Sequence, residues 1–137
     1  MKIWLINHYA VPPQYYPLER PSLFAKNLIK MGHDVTIIAA SAVHNSKSKN
    51  LIDDGGRVKK IKDDGIPYVL INCKAYEGNG INRVINILQF ARKLPGVLRI
   101  LEQPDAIVAT SFDPLTCYMG VKYAKKHGIK VIAEIAD

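Results

Sequence analysis

A strand–helix–strand pattern at the start of the chain constrains the fold more than any other feature of this sequence. Lys2–Asn7 is a predicted strand around the apolar run Ile3–Ile6, and Asp34–Ala40 is apolar and β-branched, as in parallel strands buried on both faces. Between them, from Pro21 to Met31, apolar residues recur at helical spacing, and Gly32 supplies a stop. The pattern predicts a right-handed βαβ unit.

The middle of the chain contains one loop, one strand and one long helix. Ser41–Gly65 is polar and charged without periodicity, which predicts a long mobile loop. Ile66–Asn72 has the composition of a strand, and Ile81–Leu101 has an apolar helical face. We expect Pro95-Gly96 to kink or break this helix, because an interior proline costs about 3 kcal/mol.

The last third repeats the strand–helix–strand order. Ala106–Ala109 is a predicted strand, Thr110–Pro114 a loop-to-helix junction, Leu115–His127 a helix, and Lys130–Ile135 a final strand. The whole pattern predicts the α/β class, with a Rossmann-like, doubly wound parallel sheet in a single domain over residues 1–137. Ligands of such sheets gather outside the carboxyl ends of the strands.

The loop from Asn7 to Arg20 follows the first predicted strand and leads into a helix. Helix N-termini favour anions because their first amides are unpaired and the helix dipole is positive there. Arg20 is therefore a candidate phosphate ligand; the alternative is a surface ion pair with Glu19 or another acid. Tyr15 and Tyr16 are candidate substrate-binding residues in the same loop.

Further candidate substrate-binding residues follow the other strands. His44 is either a hydrogen-bond donor to substrate or a solvated loop histidine, and Asn79 lies in a turn with two glycines that needs no function. Ser111 is placed to hydrogen-bond an acceptor. Asp113 either does the same or caps the helix that begins at Pro114.

Composition and missing motifs exclude several classes of protein. The net charge of +7 favours anionic partners such as nucleotide sugars, phospholipid surfaces or nucleic acid, with solubility as the alternative reason for it. The first loop has no glycine, which excludes the dinucleotide fingerprint. The histidines are scattered, so we expect no metal and no cofactor. Cys73 and Cys117 lack redox spacing, which favours a reduced, cytoplasmic compartment.

The segment Ile81–Leu101 also bears on location. It combines an apolar face with several cations, which suits docking on an anionic membrane. The alternative is a core-facing helix with a solvated basic face. No apolar run in the sequence approaches the roughly 20 residues that span a bilayer, so we expect a soluble or peripheral protein.

An ordered set of short segments extends over nearly the whole chain. Its members are Asn7-His8-Tyr9-Ala10 with Pro12-Pro13, Arg20, Ala25-Lys26-Asn27-Leu28, Gly32-His33-Asp34-Val35-Thr36-Ile37, Ala39-Ala40-Ser41 with His44, Tyr76-Glu77-Gly78-Asn79-Gly80 with Arg83-Val84-Ile85-Asn86, and Glu134-Ile135-Ala136-Asp137. This set resembles the N-terminal domain of a family 4 glycosyltransferase of the two-domain GT-B fold, in a branch that builds surface polysaccharides.

The resemblance implies transfer of a sugar from a nucleotide-sugar donor to a glycan or lipid-linked acceptor, with retention at the anomeric carbon. It implies an acceptor-side domain at the cytoplasmic face of the membrane, without its C-terminal donor domain, and therefore inactive alone. Glycines that the family often carries in the first loop are replaced by Tyr15-Tyr16-Pro17. Either hydroxyls and Arg20 bind the diphosphate, or the loop shapes the acceptor site. Asp137 is the candidate base on the acceptor hydroxyl.

The rival interpretation is a non-catalytic basic α/β module that binds nucleotide or nucleic acid. Such a module is expected to interleave aromatic and basic residues on a sheet face or groove. The basic residues here fall on predicted helices and a loop instead, so we expect no nucleic-acid partner.

Overall fold

The computed structural model describes residues 1–43, 49–78 and 80–135. These residues form one six-stranded sheet flanked by helices. The elements are, in chain order, β1 (Lys2–Ile6), α1 (Arg20–Lys30), β2 (Asp34–Ala40), β3 (Val58–Asp63), β4 (Ile66–Ile71), α2 (Ile81–Ile100), β5 (Ala106–Ser111), α3 (Pro114–Lys126) and β6 (Lys130–Ile135). The predicted α/β class and Rossmann-like sheet are confirmed.

The strand order is β3-β4-β2-β1-β5-β6, and all neighbours are parallel except β3 and β4. From β1 the chain first winds toward β2 and β4, and it later winds from β5 toward β6 in the opposite direction. The two directions diverge between β1 and β5, which pair side by side from Ile3 with Ala106 to Ile6 with Ala109. A doubly wound sheet opens its ligand crevice at this switch point.

Two apolar cores cover the two faces of the sheet. On one face, Trp4 and Ile6 of β1 pack with Phe90 and Leu94 of α2 and Tyr123 of α3. On the other face, alternate strand residues pack with Ala25 of α1 and with the loop that follows β1. Because successive strand side chains point to opposite faces, one apolar strand serves both cores.

The predicted loop over residues 41–65 is wrong in its second half. Val58–Asp63 forms β3, which pairs antiparallel with β4 across a two-residue turn of Asp64 and Gly65. Both turn residues have positive φ, 52° and 78°, as a tight hairpin requires. The Asp-Gly pair was the available sequence signal. The three lysines of β3 made this segment resemble a polar loop. They are compatible with a strand because β3 lies at the edge of the sheet, where charged side chains stay in water.

Of the two outcomes expected at Pro95, a kink or a break, the break is wrong, because α2 continues through this residue to Ile100. Leu94, Val97 and Leu98 are buried against the sheet around the proline. Their burial stabilises the second half of the helix by several kcal/mol, at roughly 1.5–3 kcal/mol per side chain, which exceeds the cost of the proline.

The strand predicted over residues 106–109 extends further than expected. Thr110 and Ser111 belong to β5, since they pair with Glu134 and Ile135 of β6. Pairing with a strand that is distant in the sequence overrides the local polarity that suggested a loop.

Leucines on opposite sides of α2 test this packing. Leu94→Ala removes a fully buried side chain and should lower the free energy of unfolding by about 2–5 kcal/mol. Leu88→Ala makes the same chemical change at a side chain that is 53% exposed, and should alter stability by less than about 0.5 kcal/mol. Urea unfolding followed by circular dichroism measures both, and equal losses would contradict the packing described.

Candidate functional site

A small pocket of about 20 Å³ lies at the carboxyl ends of β1 and β5, at the switch point of the sheet. Its polar lining comes from four elements that are distant in sequence. Its residues are Leu5, Asn7, Arg20, Pro21, Phe24, Val108, Thr110 and Glu134. The fold therefore brings a cation, a carboxylate, a hydroxyl and an amide to the edge where ligands of such sheets bind.

Arg20 and Glu134 form a two-pronged ion pair across this pocket. Nη1 of Arg20 lies 2.6 Å from Oε1 of Glu134, and Nη2 donates to Oε2, also at 2.6 Å. Thr110 adds a hydrogen bond to Oε1 at 3.1 Å. The Arg20 hydrogen bonds lower the pKa of Glu134 below its usual value, and Thr110 acts in the same direction.

Arg20 therefore forms the ion pair that was the alternative to a phosphate ligand, and its partner is Glu134 and not Glu19. The fork geometry that binds Glu134 is also the geometry with which arginine binds phosphate. Arg20 is largely exposed, at 68% of its side chain, so an anionic ligand can reach its guanidinium from solvent.

A second cluster, built around Tyr9, lies at the same edge of the sheet. The Tyr9 hydroxyl accepts a hydrogen bond from Nη2 of Arg83 at 2.9 Å, and its ring lies 5.6 Å from that of Phe112. Arg83 stands in the first turn of α2, at a helix start. The sequence placed this arginine on a helix and in the set of segments that carries the resemblance, but nothing local reveals that Tyr9 lies beside it.

Asp113 caps α3, as one of its two interpretations predicted. Its Oδ1 accepts from the backbone amide of Thr116 at 2.7 Å, and its Oδ2 accepts from the Thr116 hydroxyl at 2.8 Å. The carboxylate is buried, and both oxygens are engaged by its own helix. Ser111, by contrast, is half-buried at the end of β5.

The other candidate residues lie further from the pocket or outside the described residues. Tyr15 and Tyr16 pack partly against the core on the α1 face, and Nζ of Lys49 lies 5.3 Å from the centre of the Tyr15 ring. His44, Asn79 and Asp137 lie outside the described residues.

The described residues contain neither a metal-binding cluster nor a membrane-spanning helix. Over residues 1–43, 49–78 and 80–135, no three or more His, Cys, Asp or Glu side chains are grouped as a metal site. None of the helices in these ranges has the length and apolar composition needed to cross a membrane.

The cap of α3 gives a local test. Asp113→Ala should lower the free energy of unfolding by about 0.5–2 kcal/mol, because the first amides of α3 lose their acceptor. Asp113→Ser keeps a capping oxygen and should retain most of the stability. Urea unfolding of the two variants decides; equal losses would mean that the carboxylate does not act as a cap.

The Arg20–Glu134 pair gives a pH test. The folded pKa of Glu134 is depressed, so the pair's contribution to stability is complete above the ordinary glutamate pKa of the unfolded chain. It is lost as the pH falls through the lower folded pKa. An NMR titration of the Glu134 carboxyl carbon should show a higher pKa in Arg20→Gln than in the unchanged chain. No change would remove Arg20 as the cause.

Comparison with known proteins supports the fold at low sequence identity. No protein-family model matches the sequence, and no curated protein matches it. The chain is similar in structure to the catalytic domain of starch synthase IV from Arabidopsis thaliana, bound to ADP and acarbose, with a TM-score of 0.66 and 14% identity over 99% of this chain and 34% of that one. It is also similar to the trehalose-6-phosphate synthase of E. coli bound with UDP-2-fluoro glucose, with a TM-score of 0.57 and 11% identity over 98% of this chain and 32% of that one.

A third similar structure belongs to another class of protein. It is the C-terminal domain of the PF1911 hydrogenase from Pyrococcus furiosus, with a TM-score of 0.56 and 14% identity over 97% of this chain and 89% of that one. The chain thus spans about a third of the length of the two glycosyltransferases it is similar to. At these identities the likeness shows a Rossmann-like fold that is shared with GT-B glycosyltransferases.

Proposed function

We propose that this chain is the acceptor-side domain of a retaining glycosyltransferase. In this proposal, the enzyme moves a sugar from a nucleotide-sugar donor to a glycan or lipid-linked acceptor in surface polysaccharide synthesis. A second domain, outside these 137 residues, holds most of the donor. The enzyme works in the cytoplasm, at the inner face of the membrane.

The observation that carries the proposal is the position of Arg20. A guanidinium with a fork geometry stands at the switch point of a doubly wound sheet, at the start of α1. This is where sheets of this kind bind phosphate-bearing ligands. The two glycosyltransferases that the chain is similar to were solved with ADP and with UDP-2-fluoro glucose. Both ligands carry a diphosphate.

Glu134 occupies the place on Arg20 that a diphosphate oxygen would take. Its carboxylate is bound by both terminal nitrogens of the guanidinium, as a phosphate would be. We infer an exchange in which donor phosphate replaces Glu134 on Arg20, while Thr110 remains hydrogen-bonded to the released carboxylate. The carboxylate also keeps Arg20 directed into the pocket before the donor binds.

We assign the acceptor to Tyr15, Tyr16 and Ser111, together with His44 and Asn79, which lie outside the described residues. Asp137 takes the proton of the acceptor hydroxyl. Neither a metal nor a separate cofactor is needed in this scheme, since arginine and helix amides neutralise the diphosphate.

The role of Arg20 predicts opposite effects for its removal and for the removal of its partner. Arg20→Ala should weaken the binding of UDP or ADP by at least about tenfold, because one bidentate phosphate contact is lost. Glu134→Gln should strengthen binding, because the competing carboxylate is neutralised. Isothermal calorimetry on the product of the whole reading frame, in which the proposed second domain is present, measures both.

Lys30→Ala is the matched control, since it removes one exposed cation from the other end of α1. It should leave nucleotide binding unchanged. If Lys30→Ala and Arg20→Ala weaken binding equally, the effect is one of net charge, and the assignment of Arg20 as a phosphate ligand is wrong.

Sugar transfer itself tests the proposed reaction. The chain of 137 residues should transfer no radiolabelled sugar from UDP-, GDP- or ADP-linked donors, because the proposal assigns most of the donor to a second domain. The product of the whole reading frame should transfer it. Transfer by the shorter chain alone would contradict the division into two domains, and a whole product without transfer would contradict the enzyme class.

A further inference from the structure

We propose that the outer surface of α2 and α3 is a docking surface for an anionic phospholipid membrane. These two helices form one layer, because both pack on the same face of the sheet. The proposal extends the proposed function by naming the surface that contacts the lipid, and it rests on that function only for the identity of the acceptor.

The charge of the chain is concentrated on this layer. Between residues 81 and 100 and between 114 and 126 there are seven Lys and Arg and no Asp or Glu. The other 12 of the 19 Lys and Arg are matched by all 12 Asp and Glu, so the rest of the chain is neutral. The whole excess of +7 therefore lies on two neighbouring helices.

Two of the seven cations are already used by the fold. Arg83 donates to Tyr9, and Nζ of Lys93 donates to the carbonyl of Asn72 at 2.7 Å. The other five are exposed and, within the described part of the chain, form no ion pair; they are Arg92, Arg99, Lys122, Lys125 and Lys126. Glu102, just beyond α2, is bound by Lys2 at 2.8 Å.

A groove of about 150 Å³ between the two helices collects three of these five cations. Pro95, Met119 and Tyr123 provide its apolar lining. That lining is surrounded by Arg99, Lys122 and Lys126, together with His127. An apolar groove rimmed by cations fits a phospholipid, whose phosphate carries the negative charge and whose glycerol and upper acyl carbons are apolar.

Exposed apolar side chains continue the same surface. Ile81, Val84 and Leu88 follow one another at helical spacing on α2, and Arg92 is next on that ridge. Tyr118 is exposed on α3. Exposed aliphatic side chains beside exposed cations distinguish a membrane surface from a nucleic-acid surface, which needs cations but gains nothing from isoleucine or leucine.

Vesicle flotation tests the surface with the probe lipid stated. The chain should float with vesicles of phosphatidylcholine that contain phosphatidylglycerol as the minor lipid, with at least tenfold higher affinity than for pure phosphatidylcholine. Binding should weaken as salt is raised, because exposed charges are screened. Equal binding to both vesicle types, or none to either, would overturn the proposal.

A charge-matched pair of variants locates the surface. Arg99→Gln with Lys122→Gln and Lys126→Gln should lower the affinity for the anionic vesicles at least tenfold. Lys30→Gln with Lys60→Gln and Lys62→Gln removes the same charge from exposed positions on α1 and β3, and should lower it by less than threefold. Equal losses in the two triple variants would overturn the proposal, since net charge alone would then explain binding.

The apolar part is tested separately. Ile81→Ser with Leu88→Ser should reduce the binding that survives at high salt, while circular dichroism stays unchanged because both side chains are exposed. A single-stranded oligonucleotide is the competing probe. If it binds through Arg99, Lys122 and Lys126 while anionic vesicles do not bind, the surface is a nucleic-acid site and the membrane proposal is wrong. Sugar transfer to a soluble acceptor by the product of the whole reading frame, measured in parallel, reports on the proposed enzyme independently of flotation.

Discussion

The structure depends on burying β1 on both of its faces at once. Trp4 and Ile6 enter one core, and Ile3 and Leu5 enter the other. A strand of this kind needs a neighbour on each edge and helices on both faces, which the chain supplies by winding in two directions from β1 and β5. The switch in direction opens a crevice between those two strands. The same burial that stabilises the sheet therefore positions Arg20 and Glu134.

The sequence predicts features that depend on neighbouring residues, and it does not predict contacts between residues that are far apart along the chain. The βαβ unit is encoded locally, since the interior of Asp34–Ala40 is apolar or β-branched. The cap is local too, since Asp113 precedes the helix that it caps by one residue. The contact between Arg20 and Glu134 joins residues 114 positions apart. No local pattern reveals it, because their proximity results from β6 pairing with β5 after two crossovers. Arg83 and Tyr9 were missed for the same reason.

The two wrong element predictions have opposite physical causes. Propensity was given too much weight at Pro95, where burial of the surrounding residues in α2 outweighs the lost hydrogen bond. Turn propensity was given too little weight at Asp64-Gly65. The positive φ of these two residues forms a tight turn, and β3 pairs with β4 although β3 contains three lysines. Edge strands and interior strands obey different rules, and only the order of strands in the sheet tells which rule applies.

The proposed phosphate ligand and the proposed membrane surface lie on opposite faces of the sheet. Arg20 lies on α1, on one face, whereas the net charge lies on α2 and α3, on the other. Both helices of the charged layer begin at the carboxyl edge of the sheet, at Gly80 and Asp113, which is the edge where the crevice opens. Ile81, Val84 and Leu88 stand in the half of α2 nearer this edge, Arg92 and Arg99 stand further along, and Ile100 is exposed at the far end. A membrane docked on this layer, as proposed above, would therefore lie beside the edge of the sheet at which the crevice opens, so the proposed membrane surface and the proposed transfer site are compatible.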